Sequence, residues 1–97
     1  MNPFVTISPR ADEELDLLLA YLEANFGILA AANCLIEIEK LCWNIAAFPF
    51  SFPAYKGKSV RKAVVNKHLS MFYQVRKNTI EVLSFWDNQR DIERLEI

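Results

Sequence analysis

The sequence is poor in cysteine, in histidine and in net charge, and each shortage removes a class of protein. It holds two cysteines, Cys34 and Cys42, and no CxxC or Cys/His set, so no zinc site or other metal is expected. The two thiols fall eight residues apart in one helical pattern, which is about 12 Å along a helix axis. That is too far for a mutual disulfide, and both are expected as small buried hydrophobes. No apolar run reaches about 18 residues, so no membrane span is expected. The start "MNPFVTISPR" lacks a basic cluster and a long apolar stretch, unlike a signal peptide. The expectation is a cytoplasmic protein without a membrane partner. A net charge of −1 argues against a strong non-specific nucleic-acid binder. There is no internal repeat and no low-complexity segment.

The chain is long enough for one domain, residues 1–97, burying roughly two-thirds of its unfolded surface. Its near-zero charge hides two halves. From Met1 to Phe48, Arg10 and Lys40 stand against seven acids. From Pro49 to Arg76 there are Lys56, Lys58, Arg61, Lys62, Lys67 and Arg76, with no acid. Such a basic segment fits phosphates, an acidic partner tail or only a solvated face.

"FVTIS" alternates and reads as a first strand over Phe4 to Ser8. Ser8 is placed to cap a helix, Pro9 suits its first position, and Asp12 to Glu14 favour its positive end. Ala11, Leu15, Leu18, Leu19 and Leu22 give that helix its apolar face, and Gly27 ends it. A second helix is expected over Leu29 to Ala47, with a core stripe of Leu35, Ile38, Cys42 and Ile45, widened by Leu41. Phe48-Pro49 stops it. A loop follows whose aromatics Phe48, Phe50, Phe52 and Tyr55 are expected partly buried, one or two being left for a partner. "VRKAVVN", "HLSMFYQVR" and "TIEVLSFW" read as three strands, with Lys77-Asn78 turning the last hairpin. In the middle strand Leu69, Met71, Tyr73 and Val75 share one face. Asp87 or Asn88 is expected to cap a short C-terminal helix. The fold class is α+β, in β-α-α-β-β-β order. It predicts a four-stranded, mainly antiparallel sheet with a helical hairpin on one face.

The residues with chemical potential are few. His68 is the only histidine and starts a strand beside Lys67. It reads as a general acid or base or, more blandly, as a polar strand edge. Trp86 ends the last strand, followed by Asp87, Asn88, Gln89 and Arg90. Trp86 is expected to pack on the sheet or on the final helix, and Arg90 to pair with a nearby acid such as Asp91 or Glu93. Gln89 and Arg90 are also read as partner contacts.

Three stretches together carry a resemblance: "ISPRADEELDLLLAYLEANFG" at the first helix, "VRKAVVNKHLSMFYQVRKNTIEVLSFWDNQRD" across the meander, and the basic-to-aromatic beat of Arg61, Lys62, Lys67, His68 and Tyr73 within it. Over nearly its whole length the chain resembles the small toxins of the RelE/ParE superfamily of bacterial type II toxin–antitoxin systems. The resemblance implies a toxin neutralised by a cognate antitoxin, and no cofactor. One branch cleaves mRNA on the ribosome; the other poisons DNA gyrase by binding. Under the nuclease reading the catalytic residues are Arg61, Lys62, His68 and Arg90. Ala63 and Ser70, however, stand where that branch carries further basic residues, and no tyrosine or histidine follows Arg90. The resemblance therefore favours the ParE-like, gyrase-inhibiting branch. Partner contacts are expected at Lys56, Lys58, Arg61, Lys67, Trp86, Gln89 and Arg90. The expected partner is an antitoxin with an apolar, acidic tail. A non-toxic, antitoxin-binding regulator is the third reading.

Overall fold

The structure is a computed structural model and describes residues 2–57 and 59–97. The chain runs β1 (Val5–Ile7), α1 (Pro9–Phe26), α2 (Ile28–Ala47), β2 (Val60–Val64), β3 (Leu69–Arg76), β4 (Thr79–Asp87) and a 3₁₀ turn at Ile92–Arg94. The sheet order is β1-β4-β3-β2. β1 runs parallel to β4, while β2–β3 and β3–β4 are antiparallel.

Local chemistry sets the element ends. Ser8 accepts a hydrogen bond from the Ala11 amide at 3.1 Å, and Pro9 fills the first helical turn. Gly27 both closes α1 and opens α2, at φ +95° and ψ 168°. That conformation belongs almost solely to glycine. It lets the chain reverse between two helices with no intervening loop. Lys77 takes φ +42° in the two-residue turn between Arg76 and Thr79.

α1 buries Ala11 and Leu15, with Leu18, Leu19 and Leu22 packed against the same core. α2 buries Ala31, Cys34, Ile38, Cys42 and Ile45. Leu35, expected in that stripe, is instead 44% exposed. α2 is apolar on most of its circumference, so spacing alone does not choose between stripes one residue apart. The sheet supplies Leu69, Met71 and Tyr73 from β3, with Ile80, Val82 and Phe85 from β4. The step from Val82 to Phe85 breaks the alternation because the strands slip. Tyr73 faces Val82 and Phe72 faces Ser84, leaving Leu83 without an opposite residue.

The other sheet face is also covered. Val60, Phe72, Trp86 and Leu95 form a second, smaller cluster, joined by Tyr55, Leu83, Ile92 and Ile97. The C-terminal segment thus lies on the face opposite the helices. Its 3₁₀ turn is capped by Asp91, whose side chain accepts from the Glu93 amide. The cap is therefore neither Asp87 nor Asn88. Asp87 holds the Gln89 amide in the preceding turn, and Asn88 bonds across to β3 and the β2–β3 turn.

Candidate functional site

One end of the sheet gathers polar side chains into a fixed corner. The β2–β3 turn is organised by Asn66, whose side-chain oxygen accepts from the His68 and Leu69 amides at 2.8 and 3.1 Å. Asn88 ties the end of β4 to it. The Asn88 amide donates to the His68 carbonyl at 2.8 Å, and its Nδ2 donates to the Asn66 carbonyl at 3.1 Å. Its Oδ1 accepts from Ser70 Oγ at 2.6 Å. Ser70 is fully buried, so this bond satisfies a hydroxyl that water cannot reach.

Trp86 lies beside Ser70 in the sheet register and is buried. The Arg90 guanidinium stacks over its ring at 4.4 Å, in place of an ion pair with Asp91 or Glu93. Such a stack keeps the cation in water while shielding the ring. Trp86 Nε1 is buried with no hydrogen-bond partner among the described residues. Lys67, His68, Gln89 and Arg90 are exposed around this corner.

The remaining candidates are placed elsewhere. Arg61 pairs with Tyr73 and so faces the helix side of the sheet. Its guanidinium donates to the carbonyls of Phe52 at 2.6 Å and Phe50 at 3.2 Å, and sits 5.2 Å over the Phe50 ring. Tyr73 reinforces the same loop by donating to the Pro49 carbonyl at 2.7 Å. Burial pushes the Tyr73 phenol up to about 12, against the opposite pull of Arg61. Lys62 points to the other face, opposite Phe72. Lys56 is 2.8 Å from Glu93 and holds the C-terminal turn. Lys58, a predicted partner contact, lies outside the described residues. His68, Trp86, Gln89 and Arg90 thus share one corner with Lys67, while Arg61 sits across the sheet, bound to its own loop. Among the loop aromatics, Phe52 and Tyr55 pack inward. Phe48 and Phe50 each stay 66% exposed.

Three features were not read from the sequence. The Asn66–Asn88–Ser70 network is one; an asparagine between two strands was its only local signal. Glu14 is another. Its carboxylate accepts from Ser84 Oγ at 2.8 Å and from the Phe85 amide at 3.1 Å, covering the β4 edge beyond the end of short β1. The third is the outer face of the hairpin, where Leu29, Ile36 and Trp43 lie exposed. No helix is long and apolar enough to cross a membrane, and no cluster of metal-ligating side chains occurs among the described residues.

A family model described as the ParE toxin of the type II toxin–antitoxin system parDE matches residues 5–92. Among solved structures, the chromosomal ParDE toxin–antitoxin system from P. aeruginosa superposes with a TM-score of 0.72. It is 15% identical, over 86% of this chain and 92% of that one. The YoeB–YefM complex from Staphylococcus aureus gives 0.61, at 17% identity, over 88% and 95%. The YoeB dimer from the same organism gives 0.59, at 18% identity, over 82% and 90%. At these identities the structural likeness is one of fold. No curated protein matches the sequence.

Proposed function

We propose, for a chain that belongs to the ParE toxin family of type II toxin–antitoxin systems, that it is a toxin acting by binding, with DNA gyrase as its target. A cognate antitoxin neutralises it in the cytoplasm. The observation that carries this reading is the commitment of Arg61. A nuclease arginine must meet a phosphate as charge develops on it. Here the guanidinium is already engaged by two loop carbonyls on the helix side, away from Arg90. Three further points support it. Ser70, near the start of the inner strand β3, has its hydroxyl bound to Asn88. The Tyr73 phenol, its pKa raised by burial, is likewise committed to the loop, where it donates to the Pro49 carbonyl. The acidic α1 surface also opposes docking onto ribosomal RNA. The contact surface for the target is the corner of Lys67, Gln89 and Arg90, where the exposed guanidinium of Arg90, held over the buried Trp86 ring, forms a ready anchor.

Pulse-labelling after induced expression without antitoxin tests this. Early loss of thymidine incorporation, with DNA breaks, is expected. Early loss of methionine incorporation, with cleaved mRNA, would instead establish the ribosome-dependent nuclease. Unimpeded growth would leave an antitoxin-binding regulator.

A further inference from the structure

At the end of the sheet far from the Asn66–Asn88 corner, the chain leaves a cleft of about 220 Å³ between the start of β1, the end of α2 and the β3–β4 turn. Val75 and Ile80, both packed in the main core, and the exposed rings of Phe4 and Phe50 supply its apolar lining. An apolar cavity of ~150 Å³ holds one benzene ring, while drug-sized ligands occupy ~300 Å³ or more. The cleft is therefore the size of one aromatic side chain. Phe4 keeps 56% of its surface and Phe50 even more, yet both stand on fixed backbone. The Phe4 amide donates to Oδ1 of buried Asn2 at 2.8 Å, and its carbonyl accepts from the Ile80 amide at 3.0 Å. The Phe50 carbonyl accepts from Arg61, whose guanidinium also covers the ring. Neither ring stacks on another aromatic among the described residues. Two exposed rings held over an apolar floor form a pre-organised receptor, which loses little freedom when it is filled.

Charge identifies what fills it. Lys77 borders the cleft in the β3–β4 turn and is exposed, with no ion-pair partner among the described residues. Its φ of +42° lies in the left-handed region that favours glycine, so a lysine is held there at a cost. No acidic residue lines the cleft among the described residues. Neighbouring Arg76 already lies 3.3 Å from Glu81, which leaves Lys77 as the uncompensated charge. α2 also ends at the cleft, through Ala46, with no basic residue in its last turn. The last carbonyls of a helix lack intrahelical donors, so N–H groups suit that border. An aromatic ring, a negative charge and N–H donors are thus wanted together, and a peptide supplies all three. Nucleic acid fits less well, because its affinity comes from many phosphates meeting many free cations, and this border offers one.

We propose that this cleft docks an acidic peptide segment of a partner protein. One aromatic side chain of the segment lies on Val75 and Ile80 between Phe4 and Phe50, and an adjoining carboxylate meets Lys77. The site is at the opposite end of β3 and β4 from the corner of Lys67, Gln89 and Arg90, so the two surfaces do not overlap. Its chemistry is independent of the cellular target.

Three short blocked peptides test this by NMR titration of the full chain. The first carries a tryptophan between two aspartates, the second the same tryptophan between two lysines, and the third alanine between two aspartates. The first is expected to shift the amides of Val75, Lys77, Thr79 and Ile80. Alanine in place of tryptophan should weaken binding about tenfold or more, and lysine in place of aspartate about threefold. Lys77→Gly should remove the preference for aspartate over lysine and fold at least as well, since glycine suits the positive φ. Phe4→Ser/Phe50→Ser changes two exposed rings and should weaken the first peptide about tenfold. Shifts confined to other parts of the chain, or none at millimolar peptide, would overturn the site, as would unchanged affinity in the double serine variant. Equal binding of the aspartate and lysine peptides would overturn the charge assignment. Tighter binding of a single-stranded oligothymidylate at the same amides would make nucleic acid the occupant. Self-association in sedimentation that the double serine variant abolishes would make it a second copy of this chain. Either result overturns the proposal. None of these readouts depends on toxicity, and the toxin reading fails separately, if induced expression leaves growth unaffected.

Discussion

Replacing Arg61 with methionine keeps the length of the stem and removes the guanidinium. The structure gives that group two hydrogen bonds to loop carbonyls and one ring contact. A charge-assisted bond contributes about 1.5–3 kcal/mol when shielded and less when wet. The 2.6 Å bond to Phe52 is half-buried, while the 3.2 Å bond to Phe50 is exposed and counts for little. The exposed cation–ring contact adds about 0.5 kcal/mol. The expected loss is therefore about 2 kcal/mol, or roughly 8–16 °C in melting temperature for a domain this small. Arg61→Lys keeps the charge without the fork and should recover about half. Urea unfolding is the assay, with an unchanged m-value showing that the denatured state is the same. Growth arrest by Arg61→Met, expressed at a temperature where it is folded, is expected to persist. A variant as stable as the wild type that no longer arrests growth would refute the structural assignment of Arg61 and return it to a reacting centre.

Asn88→Ala should cost about 2–3 kcal/mol, because it orphans the buried Ser70 hydroxyl and frees the β2–β3 turn. Amide exchange at His68 and Leu69 should accelerate, while β1 stays protected. Burial, reinforced by Glu39, raises the Cys42 thiol from 9.0 to about 11. A raised acid is neutral in the folded chain where the unfolded chain already ionises. Its contribution to stability is therefore whole below pH 9 and is lost as pH rises towards 11. Denaturation midpoints should fall across that window, and less in Cys42→Ala. At pH 8 a thiol reagent should modify Cys34 and Cys42 only in the unfolded chain, since both are buried and free.

Hairpin, meander and strand faces were legible because their signals are local. Ser8-Pro9 and Gly27 mark helix ends by backbone chemistry. The Leu69, Met71, Tyr73, Val75 alternation sets which face of β3 meets the helices. The site was less legible, for two reasons. A strand residue has two faces to choose from, and Arg61 resolves inward because aromatic-loop carbonyls await it there. Asn66, Ser70 and Asn88 are far apart in sequence, and nothing local announces that three turn and strand ends share one network.

Sequence alone determined the order of elements, the capping of α1, the reduced and buried cysteines, and the division into an acidic and a basic half. Each follows from nearest neighbours or from composition. Tertiary structure decided which of the two apolar stripes on α2 enters the core, since an all-round apolar helix fits a sheet in more than one rotation. It also decided the slip that leaves Leu83 unopposed, the covering of the second sheet face by the C-terminal segment, and the separation of Arg61 from Arg90. These depend on how strands pair and which surface each loop finds, and those contacts span tens of residues.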